Sequence, residues 1–197
     1  MPKCVNAESK VSFQSRKTKK PITTLQRIDL HAQSRGPKWL GLHIETGTAE
    51  GWDGNDLMVN GHFLTMNMAA EPLALELRDN NQLNWSEDIR QPGAFWIHPE
   101  GSPFSLRHHG HSKWAIAIID GKFMDSVLGG HYQLIPGTNI TNPILEYLFK
   151  ALIEKLQDKN ALAPMTQSLT RSFVMALGLR QGRRIAGAVP KTLLTQF

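Results

Sequence analysis

Between Pro21 and about Ile119 the chain carries short apolar stretches broken by turn residues, and beyond residue 142 it carries helical stripes. Trp39-Leu40-Gly41-Leu42-His43-Ile44 ends at the glycine-bearing loop region 47–54. The stretch 62–68 alternates, and so does Leu73-Ala74-Leu75-Glu76-Leu77, with its odd positions apolar. A polar turn cluster at 78–82 precedes Leu83 and Trp85, and apolar stretches follow at 94–98, 104–108 and 114–119. A period of two sends successive side chains to opposite faces of a sheet. At least six such stretches set between Gly, Pro, Asn and Asp predict an all-β sandwich or barrel.

After residue 121 the period changes. Asn142-Pro143 is a helix opening, a capping side chain followed by a proline whose missing N–H costs nothing in the first turn. Leu145, Leu148, Phe149, Leu152 and Leu156 then form an amphipathic stripe, with Glu146 and Lys150 paired on its flank. This helix ends near Asp158-Lys159-Asn160. A second begins near Pro164, with Leu169, Phe173, Ala176, Leu177 and Arg180 on one face, and frays into Gln181-Gly182-Arg183-Arg184. Gly187 and Pro190 make the remainder a linker or tail. Four segments result: a flexible arm at 1–20, a β-body at 21–135, a helical subdomain at 136–184 and a tail at 185–197.

With 197 residues, 41% hydrophobic and 20% charged, the chain is one ordinary globular domain with appendages. Cys4 is the single cysteine, which excludes an internal disulfide and a cysteine-based metal centre. No apolar run reaches the length of a membrane span, and no signal-peptide core stands at the N-terminus, so the expected location is the cytoplasm. The net charge of +5 sits at the ends. Residues 1–20 hold six basic side chains against Glu8, whereas 21–158 hold 10 basic against 16 acidic. A basic arm can bind phosphates by releasing counterions, but a solvated terminal block is the simpler reading.

The chemistry-bearing patterns are few. There is no Gly-x-Ser-x-Gly elbow, P-loop or dinucleotide fingerprint, and Glu87-Asp88 lies in a polar stretch where solvation is expected. His108-His109-Gly110-His111 could suggest a metal, but strand parity turns His109 away from His108 and no acid adjoins them, so solvated loop histidines are expected. Arg107 and Lys113 could meet an anion at a rim, or be solvated. The most specific pattern is Gly93-Ala-Phe-Trp-Ile-His-Pro99-Glu-Gly101-Ser-Pro-Phe104, which describes a strand between two tight turns.

That pattern resembles the second signature of cupin barrels, Gly-x5-Pro-x-Gly-x2-His, up to its last position, where the family places a metal-binding histidine and this chain has Phe104. No His-x-His of the first signature precedes residue 93; His31, His43 and His62 stand alone. A phenyl ring cannot coordinate an ion, and a metal site needs several converging ligands. The resemblance therefore implies a cupin barrel without its metal. From about Leu73 to Leu128, with Phe123-Met-Asp-Ser-Val-Leu and the paired helices after Asn142 added, the chain looks like the N-terminal sensor half of AraC-type transcription regulators.

The resemblance implies a mainly β fold, a cupin-like (double-stranded β-helix or jelly-roll) barrel followed by a C-terminal α-helical pair. It implies an unknown small-molecule effector and a homodimer formed through the helices, with no cofactor and no catalytic residue. DNA contact would run only through a helix-turn-helix part that this chain lacks. If Phe104 points inward, Leu106 and His108 share its face; Trp96 and His98 share one face of their strand, while Phe95 and Ile97 take the other. Trp114, Ile116 and Ile118 alternate with Ala115 and Ala117. The candidate ligand-binding residues are thus Trp96, His98, Phe104, Leu106, His108 and Trp114, apolar and aromatic with a few polar anchors. Two other readings are a metal-dependent cupin enzyme (isomerase or dioxygenase) and a nucleic-acid binder acting through residues 1–20.

Overall fold

A computed structural model of the chain describes residues 13–16, 18, 21–22, 28–79, 84–158 and 160–185. Two long strands organise it. β4 (Leu42–Met58) and β9 (Phe104–Ile119) run antiparallel from the pair Leu42 and Ile119 to the pair Leu57 and Phe104. The sequence pattern breaks each of them, at 47–54 and at His109-Gly110-His111, because glycines there read as loops. The structure instead keeps both strands continuous. Gly51 (φ 85°) and Gly110 (φ 103°) take backbone angles closed to other residues, beside a register shift between Glu50 and Trp52. The two strands bend there without ending.

The bend lets β4 and β9 run through both halves of one 10-stranded sheet. In one, β9 pairs with β5 (His62–Asn67), which pairs with β8 (Phe95–His98), while β3 (Ile28–Gln33) lies along β4. In the other, β9 pairs with β6 (Leu73–Asp79), which pairs with β7 (Ser86–Arg90). β1 (Phe13–Ser15) lies beside the far half of β4, next to β2 (Pro21–Ile22). β1 corrects the expected arm. Phe13 is buried, with its ring edge-on to Trp52, Phe63 and Phe104 at 5.4, 5.8 and 6.3 Å. Its large apolar side chain is worth more inside the barrel than a free arm would be. Residues 1–12, with Cys4, lie outside the described residues.

The second half is α1 (Gly121–Leu128), β10 (Tyr132–Leu134), β11 (Gly137–Ile140) beside β8, α2 (Pro143–Gln157) and α3 (Ala163–Gln181). Asn142 caps α2 as its sequence predicts, its Oδ1 accepting from the amides of Ile144 and Leu145 at 3.0 and 3.1 Å. The expected fraying after Gln181 does not occur: β12 (Gly182–Arg184) pairs antiparallel with β10, which satisfies its backbone. The tail at 186–197 lies outside the described residues. The fold is therefore mainly β, with helices at its C-terminal side, and no described helix is long and apolar enough to cross a membrane.

Two apolar cores share the first half of the sheet. Leu64, Met66, Phe95, Ile97, Ala115 and Ala117 face the helices, where Phe149 stacks on Phe173 at 5.3 Å and tilts against Phe95 at 5.6 Å. Phe63, Trp96 and Phe104 face the other way, between the two halves, with Leu57, Leu75 and Leu77. Parity along β8 thus divides Phe95 and Ile97 from Trp96 as the alternation predicts.

Candidate ligand-binding site

The turn that ends β8 places the first group. Gly101 (φ 76°) closes it, Ser102 donates its amide to the Pro99 carbonyl at 3.3 Å, and His98 Nε2 donates to the Ser102 carbonyl at 2.8 Å. Phe104 then enters the barrel, 2% exposed. Its ring meets His98 at 4.6 Å and Trp96 at 4.9 Å, and stacks on Phe63 at 5.3 Å. The position where the cupin signature has an imidazole is the centre of an aromatic cluster. Leu106 packs against the same cluster. Trp114 does not join it; its indole lies over Gly47, where a Cβ would come within 2.7 Å of the ring.

His108 belongs to a second group, which the sequence did not reveal. Arg90, at the end of β7, is 4% exposed. Its Nη1 donates to Thr65 Oγ1 at 2.8 Å, and its guanidinium carbon stands 5.2 Å from the Trp96 ring centre. Nε and Nη2 have no hydrogen-bond partner among the described residues. Burial pushes the guanidinium down to about 10, and the charge of Asp88 opposes this in part. His108 is buried with Nε2 3.4 Å from Ser112 Oγ. Burial first, and Arg90 second, hold its imidazole below the ordinary range, with the Gly110 carbonyl pulling the other way. His108 is therefore a buried strand residue rather than a solvated loop histidine.

The backbone around Arg90 is fixed from two sides. Asn67 Nδ2 donates to the Arg90 carbonyl at 3.1 Å. Asn139 Nδ2 donates to Asp88 Oδ1 and the Ile89 carbonyl at 2.9 and 2.7 Å, and Asn139 Oδ1 accepts from the Gln91 amide at 2.9 Å.

A third polar group stands at one mouth of the barrel, beside a cleft of about 340 Å³ lined by Ser34, Trp39, His43, Asn60 and Ile118. Ser34 Oγ lies 2.9 Å from His43 Nδ1, and His43 Nε2 lies 2.8 Å from Oε1 of the fully buried Glu45. The order of hydroxyl, imidazole and carboxylate matches a nucleophilic relay. Here Ser34 Oγ also accepts the Ile44 amide at 3.0 Å, which ties it to the junction of β3 and β4. An oxygen so engaged is a poorer nucleophile than a free hydroxyl.

Outside the barrel, Arg107 is a third exposed and is paired with an acid of its own chain. Its Nε and Nη2 donate to the Glu76 carboxylate at 2.5 and 2.7 Å, and it lies over Trp85 at 4.4 Å. His109 and His111 are exposed, the latter paired with Glu50 at 2.7 Å. Among the described residues no three His, Cys, Asp or Glu side chains are grouped as metal ligands.

No family model matches the chain, and no curated protein matches it. Solved structures do. The AraC-like transcriptional activator CuxR is similar at a TM-score of 0.47 and 12% identity, over 77% of this chain and 56% of that one. ToxT from Vibrio cholerae O395 is similar at 0.46 and 12%, over 71% and 55%. A cupin domain from Bordetella pertussis Tohama I is similar at 0.37 and 11%, over 47% and 93%. The chain spans about half the length of the two regulators. Enzymes are among the matching chains as well.

Proposed function

We propose that the chain is the effector-sensing part of a transcription regulator of the AraC type, non-catalytic in itself, with DNA contact left to a separate helix-turn-helix part. The carrying observation is the buried polar group of Arg90, Thr65 and His108 beside the aromatic side chains of Trp96 and Phe104. A few fixed polar groups among aromatic side chains are what small-molecule recognition requires. Phe104, in the place of a ligating imidazole, speaks for binding rather than metal chemistry. Dimerisation would use the helices, since Ile144 and Tyr147 on α2 and Met175 and Leu179 on α3 are exposed apolar side chains one turn apart. An effector that prefers one arrangement of the helix pair shifts the population toward it.

The test is elemental analysis of the purified chain, combined with sedimentation of the parent chain and of Tyr147→Asp/Leu179→Asp. The expected result is no stoichiometric iron, zinc or manganese, and a dimer that the double variant converts to monomer. A stoichiometric divalent ion would overturn the reading in favour of a metal-dependent enzyme. A parent chain that sediments as a monomer would remove the helix-mediated step.

A further inference from the structure

We infer that the buried, unpartnered edge of the Arg90 guanidinium is the docking point for the carboxylate of an organic monoanion with an apolar body. This rests on the sensing reading and names the ligand class it takes.

A guanidinium presents its donors along edges, and Nε with Nη2 form the edge whose two N–H bonds run parallel and match a carboxylate. The protein itself shows that match: Arg107 grips Glu76 through Nε and Nη2, at 2.5 and 2.7 Å. In Arg90 Nη1 is spent on Thr65, and the same two atoms that Arg107 uses are left without a partner among the described residues. Arg90 is 4% exposed, and its backbone is held by Asn67 and Asn139, so the edge is positioned and desolvated. A buried charged donor without an acceptor carries a large penalty, which a carboxylate in that place removes.

The surroundings set charge and body. Asp88 is the acid whose charge reaches Arg90; its Oδ1 is turned to the Ile89 amide and to Asn139, and its Oδ2 is buried without a hydrogen bond to Arg90. His108 is held toward its neutral form, so Arg90 is the one cation of the group, and with Asp88 nearby it suits a singly charged carboxylate better than a phosphate dianion. The aromatic side chains beside Arg90 are the indole of Trp96, 5.2 Å from the guanidinium carbon, and, beyond it, Phe104 and Phe63, which suit an aromatic or aliphatic remainder.

The test follows the arginine Nε–H resonances of the full-length ¹⁵N-labelled chain, that of Arg90 being assigned by its loss in Arg90→Met and, as a second variant, Arg90→Gln. Acetate is the carboxylate probe, against acetamide and inorganic phosphate at constant ionic strength. A saturable downfield shift of the Arg90 resonance with acetate, absent with acetamide, is the expected result. The variants should weaken acetate binding at least tenfold while keeping cooperative unfolding. An acetate-insensitive resonance, or one that saturates with phosphate alone, overturns the inference. So does an acetate effect that survives in both variants. Acetate bound at Arg90 in a chain whose assembly no ligand alters would sink the sensing reading and leave the carboxylate anchor. An assembly moved by some other ligand, with Arg90 blind to acetate, would do the reverse.

Discussion

Replacing Arg90 with methionine should leave the ligand-free protein as stable as before, or more so. Burial brings the guanidinium down to about 10 from its ordinary value, and Asp88 compensates only in part. A base whose folded value is depressed is charged in both states at any pH below that value, so its cost is present throughout the neutral range and fades only as pH rises through about 10. A drop of roughly two to three tenfold steps corresponds to about 3 kcal/mol. Against this stand the bond to Thr65, about 1–2 kcal/mol, and the contact over Trp96, about 1 kcal/mol. Burying the methionine side chain returns about 1–2 kcal/mol. The balance is a gain of about 1–2 kcal/mol, whereas removing one partner of a satisfied buried pair costs about 3–5 kcal/mol. Urea unfolding followed by tryptophan fluorescence, extrapolated linearly to water, measures the difference. A loss above about 1 kcal/mol for Arg90→Met would show that the edge has a structural partner, and would refute the reasoning.

Phe104→Ala opens the centre of the aromatic cluster and should cost about 3–5 kcal/mol, read by the same unfolding experiment. His108, held below the ordinary imidazole range by burial and Arg90, resists protonation in the folded state while the unfolded chain accepts it. Stability should be full above the unfolded imidazole value and fall as pH drops from about 7 toward 5. His108→Gln should flatten that slope in part, since burial depresses His62 in the same sense. An unchanged slope in the variant would remove His108 from the account.

What was readable in the chain was what local physics decides. Asn142-Pro143 sets a cap whatever surrounds it, the 93–104 pattern fixes a strand and its turn, and parity along 95–98 divides inside from outside. What was not readable depends on partners far away in sequence. Arg90 looks like a solvated arginine between Ile89 and Gln91; pairing opposite Leu73 and the reach of Asn139 bury it. Ser34, His43 and Glu45 meet only because the register of β3 on β4 brings them together. Gly51 and Gly110 bend strands that they were expected to end. Thr166 and Thr170, buried on α3, weaken the apolar stripe that marks a helix face.

The same alternation that hides Arg90 also joins it to the helices. Thr65 holds the guanidinium inside the barrel, while its neighbours Leu64 and Met66 lie in the outer core. Trp96 carries Arg90 on one face of β8, and Phe95, the preceding residue, presses on Phe149 of α2 from the other face. β5 and β8 are hydrogen-bonded in register from Phe63 to Met66, so a displacement of Trp96 is shared by Thr65 and by the apolar contacts behind it. Close-packed interiors transmit such displacements because they have little free volume to absorb them. A carboxylate that pulls on Arg90 acts, through one strand's thickness, on the surface where the helix pair sits. For that contact to report binding, the ligand must prefer one position of Phe149 over another, which is a difference in affinity between two states rather than affinity alone. Comparing the Phe149 ring signals with and without acetate, in the parent chain and in Arg90→Gln, separates the two. A ring shift that follows acetate in the parent and vanishes in the variant is transmission, and no shift in either means that the anchor binds without reporting.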